Sequence, residues 1–424
     1  MTTLLVVGLV LLLALNIPVA YAMLGVSLVY LAIKPDLPII VAAQQVAAGT
    51  DKFLLLAIPF FFLAAEFMSS GGIMRRLVDL ARALVGHLRG GLGQMNVVAS
   101  VFFAGISGSA VADAAGMGRM EIEIMRRGGY PHAFSAVVTA TSATIGPIIP
   151  PSIPLVVYGS LASVSVGKLF LAGFLPGLTM ALFLMIAIHV IAVRQAFPRD
   201  AWAGWGALAR NVYRSIPVLM LPVIILGGIF SGVFTATEAA IVAAVYAMLI
   251  GLALGELRLP AIPGILAKVA CDTARVMLIV ACAALYSWIM AREGVPAAIS
   301  AWFIALGTEP WTFLLLVNLL LLVLGCFMEP LPLMVIIVPT LLPVVNSLGI
   351  DLVHFGLVVT LNLMIGLVTP PVGLVMFVVM HITGLKLETF VRALWPFLLA
   401  LLAALMVITY VPGLVLFLPR LFYP

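Results

Sequence analysis

The chain has little charge, and this scarcity decides its class. Only 9% of its 424 residues are charged and 64% are hydrophobic, whereas average soluble proteins carry roughly 25% charged residues. These values exclude a soluble globular protein. The apolar runs are continuous rather than alternating, which excludes a transmembrane β-barrel. Because a spanning helix needs about 20 apolar residues, the long runs predict a multi-span, all-α membrane protein.

Reactive and energy-converting signatures are also scarce. The three cysteines have no CxxC spacing and lie in apolar surroundings, which is typical of small buried side chains. The five histidines are far apart and lack metal-ligand spacing. No GxxxxGK[ST] phosphate loop is present. We therefore expect a protein that is not an enzyme, has no cofactor, and uses an ion gradient rather than ATP.

Basic residues are missing from two stretches, and their distribution predicts sidedness. None precedes Lys34, and none lies from Glu293 to Leu385. A cleaved signal peptide begins with basic residues, so the first stretch is predicted to be mature membrane helix. The net charge of +5 comes from short basic loops, which is typical of cytoplasmic connections and not of a nucleic-acid partner.

One pattern of glycine and proline occurs twice, 220 residues apart. The matching pairs are Gly105 and Gly325, Gly129 and Gly349, Gly146 and Gly366, Pro150 and Pro370, and Pro151 and Pro371. The apolar segments of the two halves also follow the same order. These matches predict an internal duplication, with residues 1–205 and 206–424 as its repeats.

Flanking charges predict a re-entrant hairpin in each half. Residues 92–118 have arginines on both sides, so both ends are expected to face the cytoplasm, and the segment must enter the membrane and return. The matching segment 312–346 is flanked by Glu309 and Asp351 and is expected to enter from the periplasm. The repeats are thus predicted to have inverted topology, as in many secondary transporters.

Broken helices are predicted directly after both hairpins, over residues 133–160 and 354–383, because glycine and proline interrupt these apolar runs. Residues 72–86 have the amphipathic pattern of an arm that lies along the membrane interface. Residues 296–306 are its less charged counterpart. Thr235 and Glu238 open another apolar run and are interpreted as a capping box.

Polar residues at the breaks are candidate cation ligands. Thr141, Ser142 and Gly146 precede prolines that free backbone carbonyls, and unwound helices hold Na⁺ with such oxygens. The alternative is a kinked helix whose hydroxyls bond to its own backbone. In the second half, Asn362 is interpreted as a ligand or as a tether between hairpin and helix, with ordinary helix–helix bonding as the alternative.

The hairpin tips differ between the halves. Ser107, Gly108 and Ser109 expose amides and hydroxyls that can attract anions, although small residues also permit close helix packing. The second tip begins at Gly325 and contains no serine, so the two sites are not expected to be chemically identical. Asp113 and Glu329 lie near the hairpin centres. An acid at the bilayer centre costs roughly 2.5–3.5 kcal/mol, so a role in the solvent route or at the tip is expected.

Four long motifs now point to a family: GISGSAVADAAGMG, GYPHAFSAVVTATSATIGPIIPPSIPLVVYG, TATEAAIVAAVYA and LNLMIGLVTPPVGLVMFV. They resemble the large membrane subunit of tripartite ATP-independent periplasmic (TRAP) transporters, and the resemblance covers essentially the whole chain. It implies a multi-pass protein of the bacterial inner membrane that imports organic acids with Na⁺. The implied partners are a periplasmic substrate-binding protein and a small four-helix membrane subunit.

The resemblance further implies an elevator-type transporter, in which a mobile domain with two hairpins slides against a scaffold. The first implied Na⁺ site comprises Ser107, Gly108, Ser109, Thr141, Ser142 and Gly146. The second comprises Gly325, Asn362, Gly366, Thr369 and Pro370. Substrate is expected between the tips, and the candidate substrate or pathway residues are Ser107, Asp113, Pro150, Pro151, Glu329 and Pro371.

Two other functional classes are compatible with this pattern. A stand-alone ion-coupled carboxylate carrier or exchanger shares inverted repeats and paired hairpins but needs no binding protein. A neighbouring gene for a secreted binding protein would favour the TRAP interpretation. A channel or structural membrane component is the third class, and saturable, gradient-driven uptake would exclude it.

Replacing the prolines at the breaks should impair transport more than folding. Pro150→Ala and Pro370→Ala each restore an amide hydrogen and let the helix continue across the break. We expect uptake by each variant to fall further than its amount in the membrane. Uptake assays normalised to membrane protein measure this, and a parallel fall of both quantities would assign the prolines a folding role instead.

Overall fold

The computed structural model describes residues 2–15, 17–34, 36–69, 71–305 and 309–423. The regular structure in these ranges is helical, without a strand, which confirms the all-α class. The helices are α1 Thr2–Ala14, α2 Val19–Ile33, α3 Ile40–Thr50, α4 Ala57–Met68, α5 Gly71–Val85, α6 Gly91–Ser107, α7 Ala110–Gly116, α8 Gly118–Arg127, α9 His132–Ala143, α10 Ile153–Ala162, α11 Val166–Arg194, α12 Trp205–Phe230, α13 Ala236–Ala253, α14 Ile262–Arg292, α15 Val295–Ala305, α16 Pro310–Gly325, α17 Pro330–Ser347, α18 Leu352–Gly366, α19 Leu374–Thr383, α20 Leu387–Tyr410 and α21 Pro412–Phe422.

Six helices among the described residues are long and apolar enough to cross a membrane, and the bent pair α3–α4 makes a seventh span. The long helices include α11, α12, α14 and α20, each with 24 or more residues. The remaining apolar helices are too short to span the hydrocarbon core of a bilayer, which is about 30 Å thick. Most of these short helices form the arms and halves expected of hairpins and broken helices.

Each hairpin contains two arms, one before and one after a short tip. Hairpin 1 consists of α6 and the pair α7–α8, with its tip at Ser107, Gly108 and Ser109. The sequence predicts this hairpin over residues 92–118, but the returning arm continues to Arg127 because α8 follows α7 directly. Hairpin 2 consists of α16 and α17, with its tip between Gly325 and Pro330.

The predicted broken helices are interrupted where glycine and proline cluster. The first contains α9 and α10, and the hydroxyl of Ser152 caps the second half by accepting from the Leu155 amide. The second contains α18 and α19, and Gly373, with φ of 33°, precedes the second half. The peptide bonds Pro150–Pro151 and Pro370–Pro371 are both cis. We call the segments between the helix halves break 1 and break 2.

The two halves pack across each other in a reciprocal way. Helix α10 of the first half packs against α17 and α18, whereas α19 of the second half packs against α7 and α9. Corresponding helices begin about 220 residues apart, as Ala110 and Pro330 do for the returning arms. Each broken helix thus contacts the hairpin of the other half. The inverted orientation of the halves in the membrane stays a prediction.

Ion pairs join loops that the charge pattern assigns to the same side of the membrane. Arg76 lies 3.7 Å from Glu256, and Arg82 donates to Asp200 at 2.7 Å. Both pairs connect segments rich in predicted cytoplasmic arginines. At the opposite end of α14, Lys34 lies 3.5 Å from Glu293. The charged clusters therefore meet in a manner compatible with the predicted sidedness.

Local details confirm one prediction and revise another. Thr235 and Glu238 form the expected capping box at the start of α13. The sequence pattern does not predict helix α3, because Gln44 and Gln45 interrupt its apolar run. The axes of α3 and of the following helical segment, Phe53–Met68, differ by 59°. The arm α5 covers residues 71–85, and the predicted end of its counterpart, Leu306, lies outside the described residues.

Close backbone contact between α16 and α18 should make Gly366 sensitive to a single methyl group. A Cβ atom at Gly366 would lie 2.7 Å from the carbonyl carbon and oxygen of Gly325. We expect Gly366→Ala to lower the melting temperature, since backbone atoms cannot move aside cheaply and overpacking typically costs about 1–3 kcal/mol. Thermal unfolding of the purified chain measures this.

Gly227→Ala is the matched control, because a Cβ atom at Gly227 in α12 meets no atom within 4 Å. Alanine is a better helix former than glycine by about 1 kcal/mol, so this variant should melt at or above the unmodified temperature. Equal melting of the Gly366→Ala variant and the control would contradict the close contact.

Candidate functional site

The tips of both hairpins and both breaks converge on one cavity of about 230 Å³. Its lining comes from four places in the sequence and from α4, and consists of Phe62, Gly108, Ser109, Ala110, Val111, Pro147, Ile153, Pro154, Glu329, Pro330, Leu331, Met364, Leu367 and Leu374. The lining is mostly apolar with few polar groups, which is typical of small-molecule sites. The cavity lies where substrate is expected.

The structure brings some predicted residues to this cavity and places others behind it. Gly108, Ser109 and Glu329 are in its lining. Ser107 and Asp113 are 2% and 3% exposed and lie behind the first tip. The proline pairs also stand outside the lining. They lie at the breaks, and the Pro151 carbonyl faces the first hairpin tip.

The first tip is pressed against break 1. Gly108 has a φ of 60°, a left-handed conformation that glycine adopts at no steric cost. A Cβ atom there would lie 2.6 Å from the carbonyl oxygen of Pro151, so only glycine fits. The next residue, Ser109, begins α7 by accepting from the Ala112 amide. The tip and the proline pair therefore support each other.

Asp113 connects the tip to the end of α9. Ser107 Oγ donates a hydrogen bond to Asp113 Oδ1. The other carboxyl oxygen, Oδ2, is buried and has no hydrogen-bond partner among the described residues. That oxygen faces the α carbon of Gly146, where a side chain would overlap it. A buried carboxyl oxygen that lacks a hydrogen-bond donor is a group that a bound cation can satisfy.

The hydroxyls before break 1 make the back-bonds that the sequence leaves open as an alternative. Thr141 Oγ1 donates to the Val137 carbonyl at 2.8 Å, and Thr144 Oγ1 donates to the Thr141 carbonyl at 2.6 Å. A hydroxyl that donates its hydrogen keeps lone pairs that can bind a cation. The back-bonds therefore leave Thr141 able to serve as a ligand.

Ser142 instead reaches across to hairpin 1. Its hydroxyl donates to Asn96 Oδ1 at 2.6 Å. Asn96 in turn donates to Glu121 Oε2 at 2.9 Å and to Thr139 Oγ1 at 2.8 Å. This buried network, the Asn96 cluster, consists of Asn96, Glu121, Thr139 and Ser142. It joins both arms of hairpin 1 to α9.

Break 2 is joined to the second tip through the backbone. Gly366 and Gly325 are in the close contact described above, and the Val372 amide donates to the Cys326 carbonyl at 3.2 Å. Thr369 Oγ1 donates to the Ile365 carbonyl at 2.7 Å. The second tip and break 2, which contain most residues predicted for the second cation site, are thus in contact. Asn362 lies one turn before Gly366 in α18.

Asn362 has a partner on the hairpin, in agreement with the tether interpretation. Its Nδ2 donates to Asn318 Oδ1 at 2.5 Å and to the Val358 carbonyl at 3.1 Å. Asn318 then donates to Thr409 Oγ1 at 3.0 Å. The oxygen Oδ1 of Asn362 is buried and has no hydrogen-bond partner in the described part of the chain, so the same residue also retains an oxygen that could serve as a ligand.

Sequence reasoning missed several residues of this region. Asn96 and Asn318 are buried amides in apolar runs. Burying an unpaired amide is costly, and this argument, which singled out Asn362, applies to them as well. Glu121 is only 1% exposed, yet it sits in an arm rich in charge, where nothing in the sequence distinguishes it from its exposed neighbours. Phe62 lines the cavity from the distant α4, and no local signal predicts that position.

Comparisons with known proteins agree with this architecture. The chain matches the family described as Tripartite ATP-independent periplasmic transporter, DctM component, over residues 6–414. The chain belongs to this family. It is 41% identical over 408 residues to the sialic acid TRAP transporter large permease protein SiaM of Vibrio cholerae, with 96% of each chain covered. It is also 43% identical to the C4-dicarboxylate TRAP transporter large permease protein DctM of Pseudomonas aeruginosa, over 88% of this chain and 87% of that protein.

A solved structure shares the fold. The YdaH transporter of Alcanivorax borkumensis superimposes with a TM-score of 0.67, covering 88% of this chain and 87% of that one, at 13% identity. The match to the family and to both relatives confirms the recognition from sequence motifs, and the shared structure confirms the all-α fold. Together with the apolar spans, the family places this TRAP permease in the inner membrane as a multi-pass protein.

The fit between Gly146 and Asp113 can be tested by size. Gly146→Ala should displace the Asp113 carboxyl and break its bond to Ser107, which lowers the melting temperature. Asp113→Ala removes the carboxyl that the new methyl group would overlap. The fall in melting temperature of the double variant should therefore be smaller than the sum of the falls of the two single variants. Thermal unfolding of the three variants decides this, and strictly additive losses would contradict the contact.

Proposed function

We propose that this TRAP permease is the membrane subunit of a sodium-driven, binding-protein-dependent importer of small organic acids. The single observation that carries the proposal is the cavity where two hairpin tips and two helix breaks converge. Irregular backbone at membrane depth is tolerated only where protein or a water-filled cavity surrounds it. Four such irregular segments at one small cavity favour a transport site over a purely structural junction.

Substrate binds in this cavity, between the tips. Ser109 supplies a hydroxyl donor on the first side, and Glu329, exposed at the start of α17, supplies an acceptor on the second. This pair suits a molecule that carries both a carboxylate and hydroxyl groups, such as a sugar acid or a hydroxylated dicarboxylate. The named substrates of the two relatives, sialic acid and C4-dicarboxylates, belong to the same broad class.

Two sodium ions bind behind the tips, one in each half. The first site uses the tip Ser107–Ser109 with Thr141, Ser142 and Gly146, and Asp113 Oδ2, which has no hydrogen-bond partner among the described residues, adds an oxygen ligand to it. The second uses Gly325, Gly366, Thr369 and Pro370 together with the free Oδ1 of Asn362. Hydroxyl, carbonyl and carboxyl oxygens are ligands of the kind that hard cations prefer.

Transport proceeds by elevator-type alternating access. The hairpins and broken helices move together, because α10 and α19 interlock them, while α2, α3, α4, α13 and α14 pack among themselves as the scaffold. A periplasmic binding protein delivers substrate and a small four-helix membrane subunit packs beside the chain. The competing proposal is a stand-alone carrier, and uptake by reconstituted permease without any binding protein would favour it.

Sodium should stabilise the folded chain specifically. A ligand that binds only the folded state raises its stability by RT ln(1 + [L]/Kd), so no substrate needs to be known. We expect a higher melting temperature in NaCl than in KCl at equal ionic strength, and a smaller difference for Ser107→Ala and Thr141→Ala. Equal melting in both salts would count against the sodium sites.

Thr383→Ala provides the matched control. Thr383 Oγ1 donates to the carbonyl four residues earlier, at 2.8 Å, as Thr141 does, but it lies at the far end of α19. Loss of that back-bond should leave the difference between NaCl and KCl unchanged. A reduction as large as that of Thr141→Ala would assign the effect to helix stability rather than to a cation ligand.

A further inference from the structure

Glu121 decides which way the Asn96 side chain faces. The carboxyl oxygen Oε2 of Glu121 accepts a hydrogen bond from Asn96 Nδ2 at 2.9 Å. An asparagine amide donates from its nitrogen and accepts at its oxygen, so this contact turns the Asn96 nitrogen toward Glu121. The same nitrogen reaches Thr139 Oγ1 at 2.8 Å. The amide oxygen is left pointing to the opposite side, toward Ser142.

The orientation of Asn96 in turn decides what Ser142 does. Because an oxygen faces it, Ser142 donates its only hydroxyl hydrogen to Asn96 Oδ1 at 2.6 Å, which is closer than the alternative acceptor, the Thr139 carbonyl at 3.2 Å. A hydroxyl has one hydrogen and two lone pairs. With the hydrogen held by Asn96, the Ser142 oxygen can present a lone pair to a cation and has no hydrogen left to point at it.

In the second half, different residues also leave an oxygen of the helix residue free for a cation. Asn362 occupies the position that corresponds to Ser142, 220 residues later. It donates amide hydrogens to Asn318 on the hairpin arm and to the Val358 carbonyl, and its buried Oδ1 has no partner within the residues that the structure describes. In both halves, a hairpin asparagine takes hydrogens from the helix residue, and an oxygen of that residue remains free.

Ion pairing does not explain why Glu121 is buried at this place. Among the described residues no basic side chain forms an ion pair with it, although arginines are abundant in α8. Two of those arginines pair with the exposed Glu123 instead, Arg127 at 2.7 Å and Arg126 at 3.9 Å. In the described part of the chain, the side chain of Glu121 accepts its hydrogen bond from Asn96, so it faces the Asn96 cluster.

We propose that Glu121 is a positioning residue for the first sodium site, acting through Asn96 to orient Ser142. This inference rests on the proposed sodium coupling and names a further residue of that site. In Glu121→Gln, the new side-chain amide can donate to Asn96, so the Asn96 amide can reverse. Its nitrogen then donates to Ser142, whose hydroxyl hydrogen turns to the Thr139 carbonyl at 3.2 Å. One of the two lone pairs of the Ser142 oxygen now accepts from Asn96 and is no longer available to a cation.

The test is a sodium titration of thermal stability with four variants of the full chain in lipid nanodiscs. NaCl replaces KCl at constant ionic strength, and the sodium concentration for half of the stabilisation is measured. We expect Glu121→Gln to raise that concentration about tenfold, because loss of a partner that orients a metal ligand typically costs 10–100-fold in affinity. Its melting temperature in KCl alone should change far less.

A double-mutant cycle checks the route through Ser142. Ser142→Ala should raise the half-saturating sodium concentration by itself, and Glu121→Gln in that background should add little, since non-additivity marks residues that act through each other. Glu123→Gln is the matched control, two residues away on the same helix, and should leave the titration unchanged. If Glu121→Gln does not fold, Glu121→Asp withdraws the same acceptor by one methylene and should also raise the concentration.

Three results would overturn the proposal. Superimposable sodium titrations of the unmodified chain and Glu121→Gln would show that Glu121 does not affect the site. Fully additive effects with Ser142→Ala would show that it does not act through that residue. No sodium response in the unmodified chain would reject the sodium sites themselves and this inference with them, whereas the first two results would leave the sodium proposal standing.

Discussion

The structure depends on one constraint, which is that a helix can stop inside a membrane only if its backbone is supported by other protein. Each break is supported by a hairpin tip. The Gly108 tip lies against the Pro151 carbonyl, and the Val372 amide donates to the Cys326 carbonyl at 3.2 Å. These contacts allow irregular backbone around a small cavity. The duplicated glycines and prolines follow from this requirement, since larger or hydrogen-bonding residues would fill or close the breaks.

The halves share this backbone solution and differ in charge. Hairpin 1 contains two buried acids, Asp113 and Glu121, whereas Glu329 of hairpin 2 is exposed to the cavity. The second half makes its tether from amides and a hydroxyl. The two halves therefore share one backbone arrangement but differ in their buried polar groups, in agreement with the absence of serine from the second tip.

Much of the fold and part of the site could be predicted from the sequence. Long apolar runs predicted the spans. The glycine and proline pattern predicted the interruptions between helices, which include the tip Ser107 to Ser109 and both proline pairs. The helix α3 was missed because two glutamines interrupt its pattern. Ser107 and Asp113 were expected at the substrate position, but they lie behind the cavity, since the serine hydroxyl turns inward to the carboxyl instead of outward to the substrate.

The sequence by itself determined the membrane class, the recurrence of one glycine and proline pattern, the positions of the breaks and the family. These properties arise from hydrophobicity and from glycine and proline, which act on their own stretch of backbone. Only the tertiary structure decided which buried polar groups meet. Asn96 finds Ser142 46 residues away, and Asn318 finds Thr409 91 residues away. Such pairs depend on how hairpins dock against distant helices, and no local pattern in the chain encodes that geometry.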